Sequence, residues 1–125
     1  MGLLSSLLGN AGALEKTVIQ EKYGKLLIPS EDVIAGFKII RDTFIFTNKR
    51  LIIVDVQGLT GSKVEYFTVL YKSITRFSVE TAGSFDLDAE LKIWISGQQS
   101  PSITKKFNKS VDIYEVQKLL AEYTL

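Results

Sequence analysis

From Val33 onward apolar and polar residues alternate with a period of two, as in strands that turn one face to a core and the other to solvent. Turn-forming residues cut this alternation into segments. They predict strands over residues 33–41, 43–47, 50–57, 63–72, 74–81, 89–96 and 102–107, joined at Asn48-Lys49, at the run from Gly58 to Ser62, and around Gly83. At both ends the period lengthens to that of a helix. Val18, Ile19 and Tyr23 mark a short helix over 15–23, with Gly24 as its stop and Pro29 barring any continuation. Ile113, Val116, Leu119, Leu120 and Tyr123 form the apolar face of a C-terminal helix. Ser110 or Asp112 is placed to cap it, and Asp112 with Glu115 has the spacing of a capping box.

Several antiparallel strands followed by one amphipathic helix predict a mainly β fold: a small, strongly bent sheet or partly open barrel, with the helix covering one end. Residues 1–28 read as an N-terminal helical segment and 29–125 as the β unit with its helix, all within a single domain. In the first segment Leu3, Leu4, Leu7 and Leu8 recur at helical spacing on a stretch that Gly9 and Gly12 weaken. This stripe needs a surface to dock on, and its own domain, a neighbouring copy and lipid all meet that need. It is not an export signal, because no basic residue precedes Lys16. It is also far shorter than the roughly 20 apolar residues that span a bilayer.

Composition removes much chemistry. The chain has no histidine and no cysteine, hence neither the commonest general base and metal ligand nor a thiol nucleophile. Without cysteine, packing alone holds the core, which suits a cytoplasmic protein. A net charge of +1 gives no overall field to recruit nucleic acid. No cofactor or metal is expected. The acids of Phe85-Asp86-Leu87-Asp88-Ala89-Glu90 lack the glycine and closing glutamate of a calcium loop, and read as a turn delivering Trp94 to a strand. The run from Gly58 to Lys63 lacks phosphate-loop spacing and precedes a strand, so it reads as a hairpin turn.

Two long runs carry a family resemblance: F-T-N-K-R-L-I-I-V-D-V-Q-G-L-T-G-S-K-V-E-Y, from Phe46 to Tyr66, and I-T-R-F-S-V-E-T-A-G-S-F-D-L-D-A-E-L-K-I-W-I-S-G, from Ile74 to Gly97. They resemble the small bacterial proteins whose fold is similar to the eukaryotic pleckstrin-homology (PH) domain. The resemblance implies a PH-like barrel of two nearly orthogonal antiparallel sheets, seven strands in all, plugged by the C-terminal helix. It also implies a non-enzymatic module that assembles with itself into closed rings, pentamers or larger, and serves an unidentified protein partner.

Fold kinship does not carry lipid binding across. Eukaryotic relatives gather bases in the loop between the first two strands, where this chain has Lys38 and Arg41 with Asp42 beside them. Lys49-Arg50 and Lys105-Lys106 are better phosphate or lipid contacts, although neither pair forms a recognisable phosphoinositide site. If 74–81 and 89–96 pair as a hairpin, Arg76 lies opposite Trp94 on the less apolar face, while Phe77, Val79, Leu91 and Ile93 face the core. Trp94 is then stacked under Arg76 or buried against another subunit. Cover by the terminal helix or the N-terminal segment is the plainer alternative. Self-association through Leu3, Leu4, Leu7, Leu8, Arg76 and Trp94 is the first expectation for function; a peripheral lipid-binding module is the second.

Overall fold

The computed structural model describes residues 13–81 and 89–125. Helix α1 (Lys16–Tyr23) runs into a single 3-10 turn, then come β1 (Val33–Ile39), β2 (Asp42–Thr47), β3 (Arg50–Gln57), β4 (Lys63–Leu70), β5 (Ile74–Glu80), β6 (Ala89–Ile95), β7 (Ile103–Phe107) and α2 (Ile113–Thr124). The strands form two antiparallel sheets, one ordered β1-β2-β3-β4 and the other β5-β6-β7. No ladder joins them among the described residues, so the expected barrel is two separate sheets in a PH-like arrangement, not a closed cylinder.

Alternation explains which residues lie between the sheets. Phe37, Phe44, Phe46, Leu51, Ile53 and Val69 of the first sheet meet Leu91, Ile93, Ile103 and Phe107 of the second in one core. Val116 and Leu120 of α2 complete it, both fully buried. Burying such side chains supplies roughly 1.5–3 kcal/mol each, the main drive toward this arrangement. At the start of α2 the Asp112 carboxylate accepts from the Tyr114 amide, one residue earlier than the capping-box spacing predicts. Asp112 is thus the cap, with a shorter reach.

The outer face of the first sheet has a core of its own. Ile19 and Tyr23 of α1 lie over Ile45, Ile52 and Val54. Gly36 admits this contact, since a Cβ there would stand 2.4 Å from Ile19 Cδ1. The Leu14 amide also donates to the Gly36 carbonyl at 2.9 Å, and Ala13 bridges to Phe37, so the chain enters the fold along the free edge of β1. Gly24 ends α1 with a right-handed φ and leads into the 3-10 turn, without the left-handed cap glycine often supplies.

Candidate interaction surface

Four polar groups from distant positions organise the first sheet's turn end. The β2–β3 turn at Asn48-Lys49 meets the connector before β1, where the Asn48 side chain accepts from the Asp32 amide and donates to the Ser30 carbonyl. Beneath it the Glu31 carboxylate, its side chain 1% exposed, takes Arg50 Nε at 2.8 Å and Arg50 Nη2 at 3.0 Å. Thr47 Oγ1 donates to the same carboxylate at 2.6 Å. Desolvation by burial pushes the Glu31 carboxyl up, but the hydrogen bonds from Arg50, Thr47 and the Ile28 amide outweigh it and hold the group below its ordinary range. The same pairing pushes the Arg50 guanidinium up.

Arg50, read from sequence as a phosphate or lipid contact, is engaged within the fold. Its remaining donors go to the Leu26 carbonyl and Thr68 Oγ1, so four of five N–H groups are committed within the fold. Lys49 alone of that pair is exposed, beside a shallow depression lined by Leu70, Tyr71 and Tyr123. Lys105 is likewise withdrawn. Its ammonium lies 2.8 Å from Asp42 and 3.9 Å from Asp55, tying β7 to the first sheet. Asp42 therefore does not neutralise Arg41 as adjacency predicts; Arg41 reaches across to the Gly58 carbonyl. Lys106 is exposed and shares a depression of about 280 Å³ with Ile40, Arg41 and Lys105. Lys49 and Lys106 are not brought together.

Arg76 and Trp94 are. They are register partners in β5 and β6, with the guanidinium carbon 4.9 Å from the centroid of the half-buried indole. The indole Nε1 donates to the Gln99 carbonyl at 3.2 Å, so the turn after β6 also fixes the ring. Leu3, Leu4, Leu7 and Leu8 lie outside the described residues, as does the turn from Phe85 to Asp88. Among the described residues no cluster of acids is placed to hold a metal ion, and no helix is long and apolar enough to cross a membrane.

Two features escaped sequence reading. Glu31 sits in a connector without periodicity, and its partners lie 16 and 19 residues downstream. The second is the outer face of β4, where Val64, Tyr66 and Leu70 are 38%, 46% and 47% exposed. Their even spacing was a signal for a strand face, but which faces stay uncovered depends on where α1 lies.

The sequence model of the bacterial PH domain matches residues 2–124. The chain belongs to that family. This bacterial PH domain is 54% identical over 121 residues to the uncharacterized protein YjqA of Bacillus subtilis, covering 97% of each chain. It is 31% identical over 111 residues to YozO of the same organism, covering 89% of this chain and 94% of that one. Two crystal structures share the fold at high identity. A PH domain from Shewanella amazonensis SB2B superposes with a TM-score of 0.83 at 44% identity, over 99% of both chains. A DUF1696 family protein with a PH domain from Shewanella loihica PV-4 gives 0.80 at 46%, covering 91% of this chain and 97% of that one.

Proposed function

We propose that this bacterial PH domain is a non-enzymatic, cytoplasmic module that associates with itself into a ring and offers that ring as a scaffold to protein partners. The observation that carries the reading is the make-up of its outermost strands. On β4, an edge strand, stand Val64, Tyr66 and Leu70, and on β5, also an edge strand, Arg76 lies against Trp94 of the central strand β6. Exposed aromatic and aliphatic groups beside arginine are the composition of contact surfaces. An unpaired strand edge adds a row of free amides and carbonyls. Native mass spectrometry of the purified chain tests the reading: a discrete multiple of the 14.0 kDa subunit is expected, and a monomer at micromolar concentration sinks it.

A second reading has its own observation. Ile40, 75% exposed, and Leu59, fully exposed, occupy two turns that Arg41 ties together, with Lys106 beside Ile40. Apolar tips beside bases fit an anionic bilayer, so peripheral lipid binding is the alternative function. Flotation with vesicles containing phosphatidylserine at low salt decides it. Absence of binding there excludes the electrostatic mechanism.

A further inference from the structure

We propose that β4 is a seam between two copies of this chain, where two β4 edges pair antiparallel about a two-fold axis at Phe67 and join two four-stranded sheets into one. The proposal rests on the self-association proposed above and adds a two-fold contact to it, so that a ring of such subunits pairs with a second ring.

Natural sheets protect their outer strands, because a bare edge is a template for any strand it meets. Three of the four outer strands here are protected. Beside β1 run Ala13, bridged to Phe37, and Leu14, hydrogen-bonded to Gly36, and the strand's register shifts between Val33 and Ala35. The register of β5 shifts between Ile74 and Arg76, and α2 packs against that strand. β7 is only five residues long, and Lys105 ties it to Asp42 and Asp55 of the other sheet. Among the described residues β4 has none of these devices. Its eight residues match β3 one for one from Lys63 to Leu70, without a shift, a glycine or a proline, and no other described segment hydrogen-bonds to its backbone. It is also apolar on both faces. Val64, Tyr66 and Leu70 stand on the outer one, and Phe67, 37% exposed, on the side of the core.

The occupant follows from this asymmetry and from charge. A second copy brings one bare edge of its own, which is again β4. The two ends of that strand differ in charge: Asp55, Glu65 and Lys63 lie at one, and Lys49 and Lys72 beside Leu70 at the other. Antiparallel pairing sets the net-acidic end of each copy beside the basic end of the other, twice, whereas parallel pairing sets like ends together. Side chains then choose the register. Centring the axis on Glu65 sets two carboxylates directly opposite each other, and centring it on Tyr66 sets them on the diagonal. Centring it on Phe67 opposes the two phenyl rings, pairs Val64 with the partner's Leu70 and Tyr66 with the partner's Thr68, and leaves Glu65 opposite the partner's Val69. Val64 to Leu70 are then paired along their whole length with no like charges facing.

The chain has no native cysteine, so engineered thiols report on the seam directly. Phe67→Cys, oxidised in the native state, is expected to link to itself. Val64→Cys and Leu70→Cys, prepared separately, mixed and allowed to exchange subunits, are expected to link in the mixture and in neither variant alone, since opposed residues of an antiparallel pair lie within disulfide reach. Phe67→Lys sets two ammonium groups opposite each other and is expected to halve the native mass. Native mass spectrometry separates the seam from the ring. An even multiple of the subunit above two, with these links, supports both, and a linked pair alone keeps the seam while sinking the ring. An odd multiple overturns the seam and leaves the ring. So does an oligomer whose Phe67→Cys thiols stay free, which assigns the bare edge to a strand of another protein. A monomer overturns both. Far-ultraviolet circular dichroism checks that each variant is folded, and Tyr66→Cys mixed with Thr68→Cys replaces Phe67→Cys if it is not.

Discussion

Glu31 Oε2 lies 2.8 Å from Arg50 Nε, and the two residues join the connector before β1 to the start of β3. Removing one member leaves the other charge inside the fold without its counterpart. Glu31→Gln is expected to lower unfolding free energy by about 3–5 kcal/mol, read from urea denaturation. Replacing both, Glu31→Leu with Arg50→Met, is expected to cost less than the two single changes summed. An additive result is the outcome that contradicts a paired role.

The same carboxylate sets the acid limb of stability. Its folded value is depressed below the ordinary 4.5, so its contribution is complete above that value and is lost as pH falls through the folded value. The urea midpoint should hold from neutrality to about pH 5 and then decline. Glu31→Gln should start lower and decline less steeply. Parallel acid limbs for the two proteins would assign the decline to other carboxylates.

Tyr71 governs the alkaline side. Its phenol donates toward the Thr47 and Arg50 carbonyls, at 2.7 and 2.8 Å, and its ring stacks on Tyr123 of α2 at 5.0 Å. Burial pushes the phenol up. A raised phenol contributes stability that is whole below its ordinary value of 10.0 and is lost as pH rises above it. Tyr71→Phe is expected to cost about 0.5–1.5 kcal/mol at neutral pH through loss of the shared phenol hydrogen bond, and to flatten the alkaline decline. Denaturation series on both sides of pH 10 measure each effect.

Gly36 is a packing requirement. Gly36→Ala puts a methyl 2.4 Å from Ile19 Cδ1, in a site where Ile19 is 1% exposed. Overpacking of this kind costs about 1–3 kcal/mol. Combining it with Ile19→Val, which removes the clashing carbon, is expected to recover part of the loss. Thermal midpoints of the four proteins in this cycle give the coupling.

Trp94 is the sole tryptophan, so its fluorescence reports on one site. Arg76→Ala removes the cation from the ring face and is expected to shift emission to longer wavelength, with a stability loss of only about 0.5–1 kcal/mol. An unshifted spectrum would mean that the guanidinium does not stack in solution.

Strands and register were legible because a period of two assigns every residue of a half-buried strand to a face. The pairing of Arg76 with Trp94 follows from that alternation and from a hairpin centred near Phe85. The seven strands begin and end close to where turn residues predict. What local pattern does not encode is the direction a turn side chain takes once distant segments pack on it. Lys49 and Arg50 are adjacent and both basic, yet one points to solvent and the other into the fold, because the connector carrying Glu31 crosses only one side of the hairpin. Adjacency misled in the same way at Arg41-Asp42, where each side chain has a long-range partner. The uncovered row on β4 was hidden for a related reason: exposure is a property of the sheet and α1 together.

Gly36 holds the entering chain twice, its carbonyl through the Leu14 amide and its missing side chain through Ile19. It acts as a mechanical anchor point. A pull on the chain at Leu14 runs through this one residue into the plane of the sheet. The peg of Ile19 resists sliding there while the Leu14 hydrogen bond resists peeling. Held in both directions, α1 keeps its place over the strands beneath it.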